Sequence, residues 1–479
     1  MTALVLAWWY WNLTKQTFFL DQHGCAKNQV DGELLISHLT NAGYVRTDDA
    51  SNADLIIINS CGFIQSAKQE SLDAVMNARA AYPHAKILLA GCLAERYADV
   101  FKTDLPEADG IFGNGDLSQI VQTARDVLAK KRPVVVPSQN GVCCGDRPQF
   151  LSFSGSAYVK ITEGCNNCCS FCAIPLIRGS LRSRPVSEIV TEVKKLVSDG
   201  TREINLIGQD LAAYGCGKTD DVLGNGKNGL QNTETSLLHD LLVELSKIEG
   251  QFWIRLLYIH PDHFNADILS LMQKDKRILP YFDIPFQSGS DRIIKAMNRT
   301  GTFERYVSLI KTIRTALPDA SIRTTFLTGF PGETEDDAHA TEKFLEAIQP
   351  DWSGCFAYSR EEDTPAYNFK GRVAKKTAEL RAAQLEKIQT ALTAQRLKQR
   401  VGQTYDVLVE EIIQNNDGTD DGLAIGRAWF EAPDVDGNVV IRYDLDDANA
   451  VSQIVPGNVV KVKAIASSEL DIDGVYCAG

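Results

Sequence analysis

The sequence predicts an α/β protein: a doubly wound N-terminal domain, a partial (β/α)6 barrel, and a small C-terminal β-barrel of OB-fold size. Three observations predict it. Apolar strand-like runs alternate with helix-period stretches over residues 17–131, the pattern of a parallel sheet covered on both faces. Six further strand–helix units follow within residues 151–400, two short of a closed eightfold barrel. After Gly402 the helical period stops, and short β runs punctuated by Gly and Asp take over to residue 479. Residues 132–150, with Pro133, Pro137, Gly141, Gly145 and Pro148, read as the linker between the first two domains.

Each element has its own signal. In the first domain, residues 17–21, 54–59, 86–90 and 110–113 read as strands. The run Asp54-Leu-Ile-Ile-Ile-Asn59 has no polar alternation, as expected of a strand buried on both faces. Residues 30–41 carry helical apolar spacing at Leu34, Leu35, His38 and Leu39, and residues 66–81 and 117–128 read as further helices. The barrel strands are expected at 157–162, 203–208, 253–258, 281–286, 322–328 and 354–359, with helices between them such as 186–198, 236–248 and 334–348. Residues 220–233, rich in Gly, Asn and Asp, read as a flexible insertion without chemistry. One long basic helix is expected over 373–400, then β runs at 404–410, 423–429, 439–443 and 458–465.

With 479 residues and 44% hydrophobic content, the chain can bury about three cores. The apolar run at 3–13 is too short to span a bilayer, and lacks the basic flank and cleavage site of a signal peptide. No membrane segment is expected, and twelve cysteines in such a chain argue for metal or redox use in the cytoplasm. The net charge of −13 is uneven: residues 1–150 carry 13 Lys+Arg against 16 Asp+Glu, residues 151–400 carry 32 against 31, and residues 401–479 carry 4 against 15.

The chemistry is expected at Glu163-Gly-Cys-Asn-Asn-Cys-Cys-Ser-Phe-Cys-Ala-Ile-Pro175, just past the first barrel strand. Cys165, Cys169 and Cys172 are spaced C-x3-C-x2-C. Three thiolates grip three corners of a cubic iron–sulfur cluster and leave its fourth iron open, whereas clusters that only carry electrons use four. A zinc site using Cys168 as well would crowd four ligands into eight residues, two of them adjacent and pointing apart. Nothing indicates secretion, so a disulfide reading is weaker still.

A second set stands in the first domain. Cys25, Cys61 and Cys92 each follow a strand, about one strand–helix unit apart, and each neighbours a glycine. In open parallel sheets the strand C-termini converge on one crevice. Any one of these cysteines alone would be read as a small buried hydrophobe; three at matching strand ends favour a second three-cysteine cluster. The adjacent Cys143 and Cys144 read as incidental. In the barrel, Gly208-Gln-Asp210, Pro285-Phe-Gln287-Ser-Gly-Ser-Asp291 and Thr328-Gly-Phe-Pro-Gly-Glu333 put glycine backbone and polar groups at the mouth. Arg178, Arg182 and Arg184 read equally as contacts for a carboxylate substrate or as a solvated basic loop.

The cysteine loop resembles the radical S-adenosylmethionine (SAM) superfamily. The chain from about Thr17 onward resembles its methylthiotransferase family, through Gly24-Cys-Ala-Lys-Asn28, Asn59-Ser-Cys61, Gly91-Cys-Leu93, the Cys165/Cys169/Cys172 loop and Thr328-Gly-Phe-Pro-Gly-Glu333. The C-terminal barrel resembles the family's TRAM domain. The resemblance implies two [4Fe–4S] clusters, held by Cys165/Cys169/Cys172 and by Cys25/Cys61/Cys92. It implies SAM contacts at Phe171, Gly208, Gln209, Gln287 and Gly329. It implies reductive cleavage of SAM to a 5′-deoxyadenosyl radical, sulfur delivery from the second cluster, methyl transfer from a second SAM, and a reductant such as flavodoxin.

One branch of the family modifies tRNA adenosine next to the anticodon. The other modifies an aspartate of small-subunit ribosomal protein S-twelve. Residues 59–71, Glu361-Glu-Asp-Thr-Pro365 and Gly426-Arg-Ala-Trp-Phe-Glu-Ala-Pro-Asp-Val-Asp-Gly437 are similar to the ribosomal-protein branch. Two residues depart from its pattern: Cys168 stands where a basic or polar residue is usual, and Ser288, where histidine is common in that branch, is closer to the tRNA branch. The acidic segment 401–479 favours a basic protein over tRNA, so direct tRNA binding is not expected. The alternatives are a tRNA adenosine methylthiotransferase and a non-catalytic iron–sulfur redox sensor. A sensor needs no SAM pocket, and the strand-end loops argue against it.

Overall fold

The computed structural model describes residues 16–216, 218–219, 236–413 and 421–478. The apolar run at 3–13 and the insertion at 220–233 lie outside them. The chain forms two compact units. One runs to Leu151 and includes Ala173–Gly179; the other comprises Ser152–Cys172 and the chain from Ser180 on.

The first unit is a six-stranded parallel sheet. In chain order its elements are β1 (Thr17–Gln22), α1 (Ala26–Asn41), β2 (Val45–Arg46), β3 (Leu55–Ser60), α2 (Gln65–Ala81), β4 (Lys86–Gly91), α3 (Cys92–Asp104), β5 (Gly110–Phe112), α4 (Ile120–Leu128), β6 (Val134–Val135) and α5 (Ile174–Arg178). The strand order is β2-β1-β3-β4-β5-β6. All six residues of β3 are buried, as its unbroken apolar run requires. Ile56, Ile58, Ile87, Leu89 and Ile111 form one core with Val75 of α2 and Leu93, Ala94, Ala98 and Phe101 of α3. The stretch 132–150, expected as a linker, is instead part of this unit. Val134 and Val135 pair with Ile111 and Phe112 as an edge strand, and Arg147 makes a buried ion pair with Glu33 of α1 at 2.6 Å.

In the second unit β7 (Ser156–Lys160), β8 (Glu203–Ile207), β9 (Trp253–Leu256), β10 (Ile278–Asp283), β11 (Ser321–Thr328) and β12 (Trp352–Ala357) form a parallel sheet in that spatial order. The connections include α6 (Val186–Ser198), α7 (Leu238–Ser246), α8 (Asp267–Lys274), α9 (Phe303–Ala316) and α10 (Glu335–Ile348). Their apolar faces join the strands in one large core. Helix α11 (Lys375–Arg400) follows as a single 26-residue helix.

The chain ends in a closed barrel of β13 (Thr404–Ile413), β14 (Asp421–Ala428), β15 (Val439–Asp444), β16 (Val459–Ser467) and β17 (Ile472–Cys477). Strand β17, a short run interrupted by Asp473 and Gly474, was not among the strands expected. It closes the barrel by pairing parallel to β15 and antiparallel to β16.

The loop between β14 and β15 plugs the N-terminal end of the six-stranded sheet. Trp352 Nε1 and Ser321 Oγ donate to Phe430 O at 2.7 and 3.2 Å. The Tyr158 hydroxyl donates to Asp434 at 2.9 Å, and that of Tyr281 to Asp436 at 2.5 Å. Arg427 is buried between Glu203 of β8 and Glu410 of β13, with 2.6 Å contacts to each. Arg255 of β9 completes the set on Glu203 at 2.9 Å. Among the described residues no helix is long and apolar enough to cross a membrane.

Candidate active site

In the first unit the three cysteines stand at the C-terminal ends of three neighbouring strands. Cys25 follows β1 and caps α1, Cys61 follows β3, and Cys92 follows β4 as the first residue of α3. Helix N-termini favour anionic sulfur. Two asparagines of the sequence motifs staple the loops together. Asn28 Nδ2 donates to His23 O, Asn59 O and Ser60 O at 2.8, 3.0 and 3.2 Å, and Asn59 Nδ2 donates to Asn28 O at 2.7 Å. Glycines permit the close approach. A Cβ on Gly24, whose φ is +87°, would lie 3.0 Å from Cys61 Cβ, and one on Gly62 would lie 2.7 Å from the Cys92 carbonyl.

The thiols feel one another. Burial first, then the neighbouring Cys92 and Cys25, push the Cys61 thiol up to about 12. Cys92 is raised chiefly by its full burial, against the pull of Arg178. Two thiols that resist ionisation, Cys61 and Cys92, beside a third cysteine fit a site where bound metal supplies the compensating charge and displaces the protons.

In the second unit, Cys165, Cys169 and Cys172 lie in the loop beyond β7. Cys169 is buried and the other two are half-buried. The loop is tightly wound: Cys172 N donates to Cys169 O at 3.0 Å, and the Asn167 N–H points to Cys165 Sγ at 3.5 Å. Cys168 is exposed with φ +46°. Phe171 packs against an apolar cluster of Ile293, Met297, Phe330 and Ala366. Beside it, the Tyr358 hydroxyl is buried with no hydrogen-bond partner among the described residues, which fits a site completed by a ligand.

The other expected contacts lie at strand ends. Gly208 follows β8, where a Cβ would strike Thr162 Oγ1 at 2.2 Å. Gln209 Nε2 donates to Glu163 at 3.3 Å, and Glu163 pairs with the buried Lys160 at 3.0 Å. Gln287 has φ +72° and bridges to β11 through Thr325 O and Leu327 N, both at 2.8 Å. Gly329 is held by Glu333 Oε1 at 2.9 Å, and its missing side chain makes room for Ala378 of α11.

Residues 17–113 match the family described as "Uncharacterized protein family UPF0004", residues 159–345 the "Radical SAM superfamily", and residues 401–476 the "TRAM domain". "Ribosomal protein uS12 methylthiotransferase RimO" of Treponema denticola is 54% identical over 95% of this chain and 100% of its own length. The proteins of the same name from Clostridioides difficile and Thermotoga maritima are 37% and 36% identical, over 95% and 88% of this chain and 97% and 92% of theirs. This chain belongs to the RimO family of radical-SAM methylthiotransferases. Membership of the superfamily carries with it SAM and an iron–sulfur cluster.

Against this family background the arginines after the cysteine loop take definite places. Arg178 is buried on Asp31 and Cys92, at 2.9 and 3.1 Å. Arg184 is buried on Glu192 and Lys160 O, at 2.6 and 2.9 Å. Neither is free for a substrate carboxylate. Ser288 is buried beside Thr341, its hydroxyl accepting from Ser290 N at 3.1 Å.

The sequence reading missed a polar group at the loops beyond β8 and β9. Asp210 Oδ2 accepts from Asn167 Nδ2 at 2.9 Å and meets His263 Nδ1 at 2.7 Å, while its Oδ1 accepts from the backbone N–H groups of Ala212 and His260. With both oxygens engaged, it orders the Cys165 loop rather than offering a cation site. His260 Nδ1 accepts from Asp262 N at 3.3 Å, so its proton sits on Nε2, 4.0 Å from Cys169 Sγ. The signal was present: two of only seven histidines stand three apart just past a barrel strand.

Proposed function

We propose that this chain adds a methylthio group to the β-carbon of an aspartate of ribosomal protein uS12. The reading is carried by the two cysteine triads at strand ends, in a chain that matches a RimO protein over 95% of its length. Cys165, Cys169 and Cys172 hold one [4Fe–4S] cluster and Cys25, Cys61 and Cys92 a second. The first supplies the electron that cleaves SAM, and so the radical that removes hydrogen from a carbon no acid–base residue can deprotonate at neutral pH.

The protein's own part is positioning. Phe171 gives SAM an apolar wall, and the amides of Gln209 and Gln287 give it polar contacts. Gly208 and Gly329 keep the strand ends narrow. The asparagine staples and the Asp210 group hold each cysteine loop in shape before metal binds. The C-terminal residues, with 15 carboxylates against 4 cations, steer a basic ribosomal protein toward the enzyme and repel tRNA. A reductant such as flavodoxin supplies electrons in the cytoplasm.

The test against a redox sensor is direct. Reconstituted and reduced with SAM, the protein should release 5′-deoxyadenosine, and a triple Cys165/Cys169/Cys172→Ala variant should not. Release of none by the iron-loaded native chain would contradict the proposal.

A further inference from the structure

Arg178 occupies an unusual position for an arginine. It lies shortly past Cys172 in sequence, yet its helix α5 belongs to the first unit. Its side chain and that of Asp31 are each 3% exposed. The same Nη2 that donates to Asp31 Oδ2 at 2.9 Å also donates to Cys92 Sγ at 3.1 Å. Asn114 Nδ2 approaches the same sulfur at 3.6 Å. Asp31 would suffice to neutralise a buried guanidinium; the contact to sulfur is additional.

We propose that Arg178 is a positioning residue that sets the reduction potential of the cluster held by Cys25, Cys61 and Cys92, with Asp31 as its counterweight. This rests on the reading that those cysteines hold a cluster. Hydrogen bonds to ligand sulfurs and nearby positive charge favour the reduced, more negative cluster and so raise its potential. Asp31, also beside Arg178, opposes that effect. The two substitutions therefore act with opposite sign, which a merely structural role does not produce.

The test uses the full-length chain carrying Cys165/Cys169/Cys172→Ala, so that one cluster remains, reconstituted anaerobically and followed by redox titration with EPR detection. About four irons should bind. Arg178→Gln should move the midpoint to more negative potential, Arg178→Lys should move it less in the same direction, and Asp31→Asn should move it to more positive potential. An unchanged midpoint in iron-replete Arg178→Gln overturns the assignment while the cluster reading stands. If Arg178→Gln loses its iron, the signs of the other two variants decide. Loss of iron in all three, or shifts of one sign, overturns it. A parent chain that binds no iron overturns the cluster reading and this inference with it.

Discussion

Cys168 and Cys169 are neighbours with different surroundings: one exposed, the other buried next to His260. Changing Cys168 to Ser should leave iron content and activity within about twofold, because its left-handed backbone is as strained for serine as for cysteine. Loss of a cluster in that variant would revive a four-ligand site. Glu431 gives a pH prediction. It is fully buried, with one oxygen accepting from Ala428 N at 2.8 Å and the other without a partner among the described residues. Burial chiefly, and Asp436 secondarily, push its carboxyl up to about 8. The folded state thus holds this proton more tightly than the unfolded chain, so its contribution is full below the ordinary carboxylate range and is lost as pH rises toward 8. Glu431→Gln should be more stable than the native chain at pH 9, by roughly a few kcal/mol, with the gap closing toward pH 5. A gap that does not change with pH in thermal unfolding would contradict this. The strand-end places of Cys25, Cys61 and Cys92 were legible in sequence because spacing and strand ends are local properties. The Asp210–His263 pairing was not, because two separate strand-end loops must fold before those side chains meet.

The loop between β14 and β15 shows how an element's role can stay hidden in its own sequence. Residues 426–437 resemble a branch signature, but the pattern does not say which strands Arg427, Phe430, Asp434 and Asp436 will face. In the fold they plug one end of a sheet that begins far earlier in the chain, at Ser156. Arg427 lies between two buried carboxylates, so Arg427→Ala leaves Glu203 and Glu410 with less compensation. It should cost about 3–5 kcal/mol in denaturant unfolding; a loss under about 1 kcal/mol would mean that water or rearrangement replaces the pair. Strong periodicity and apolar runs carried most of the fold: α6 lies at 186–198 as read, and β3 and β4 differ from their expected bounds only at the ends. What failed was weakly patterned, namely the short edge strand β6 and the short strand β17 interrupted by Gly474, whose places depend on partners distant in sequence.

At the scale of the whole chain, charge and family similarity point to the same substrate. Of the four cations within 401–479, Arg427 is buried in the plug, Arg442 pairs with Asp473 and Lys461 with Asp406, each of the latter at 2.8 Å. Phosphate contacts need free cations, and this surface has few to give. Binding of the full-length protein to uS12 should weaken roughly tenfold or more as salt rises from about 50 to about 500 mM, as an exposed electrostatic interface requires; affinity indifferent to salt would show that the acidity serves solubility alone. The full chain is the right object, since the plug loop is built into the sheet of the same unit. The substrate is settled by offering the reconstituted, reduced enzyme uS12 and tRNA together with SAM and sulfide, and following both by mass spectrometry. An aspartate of uS12 should gain one methylthio group in place of hydrogen, with the tRNA unchanged. Methylthiolated tRNA adenosine beside unmodified uS12 would contradict the uS12 assignment.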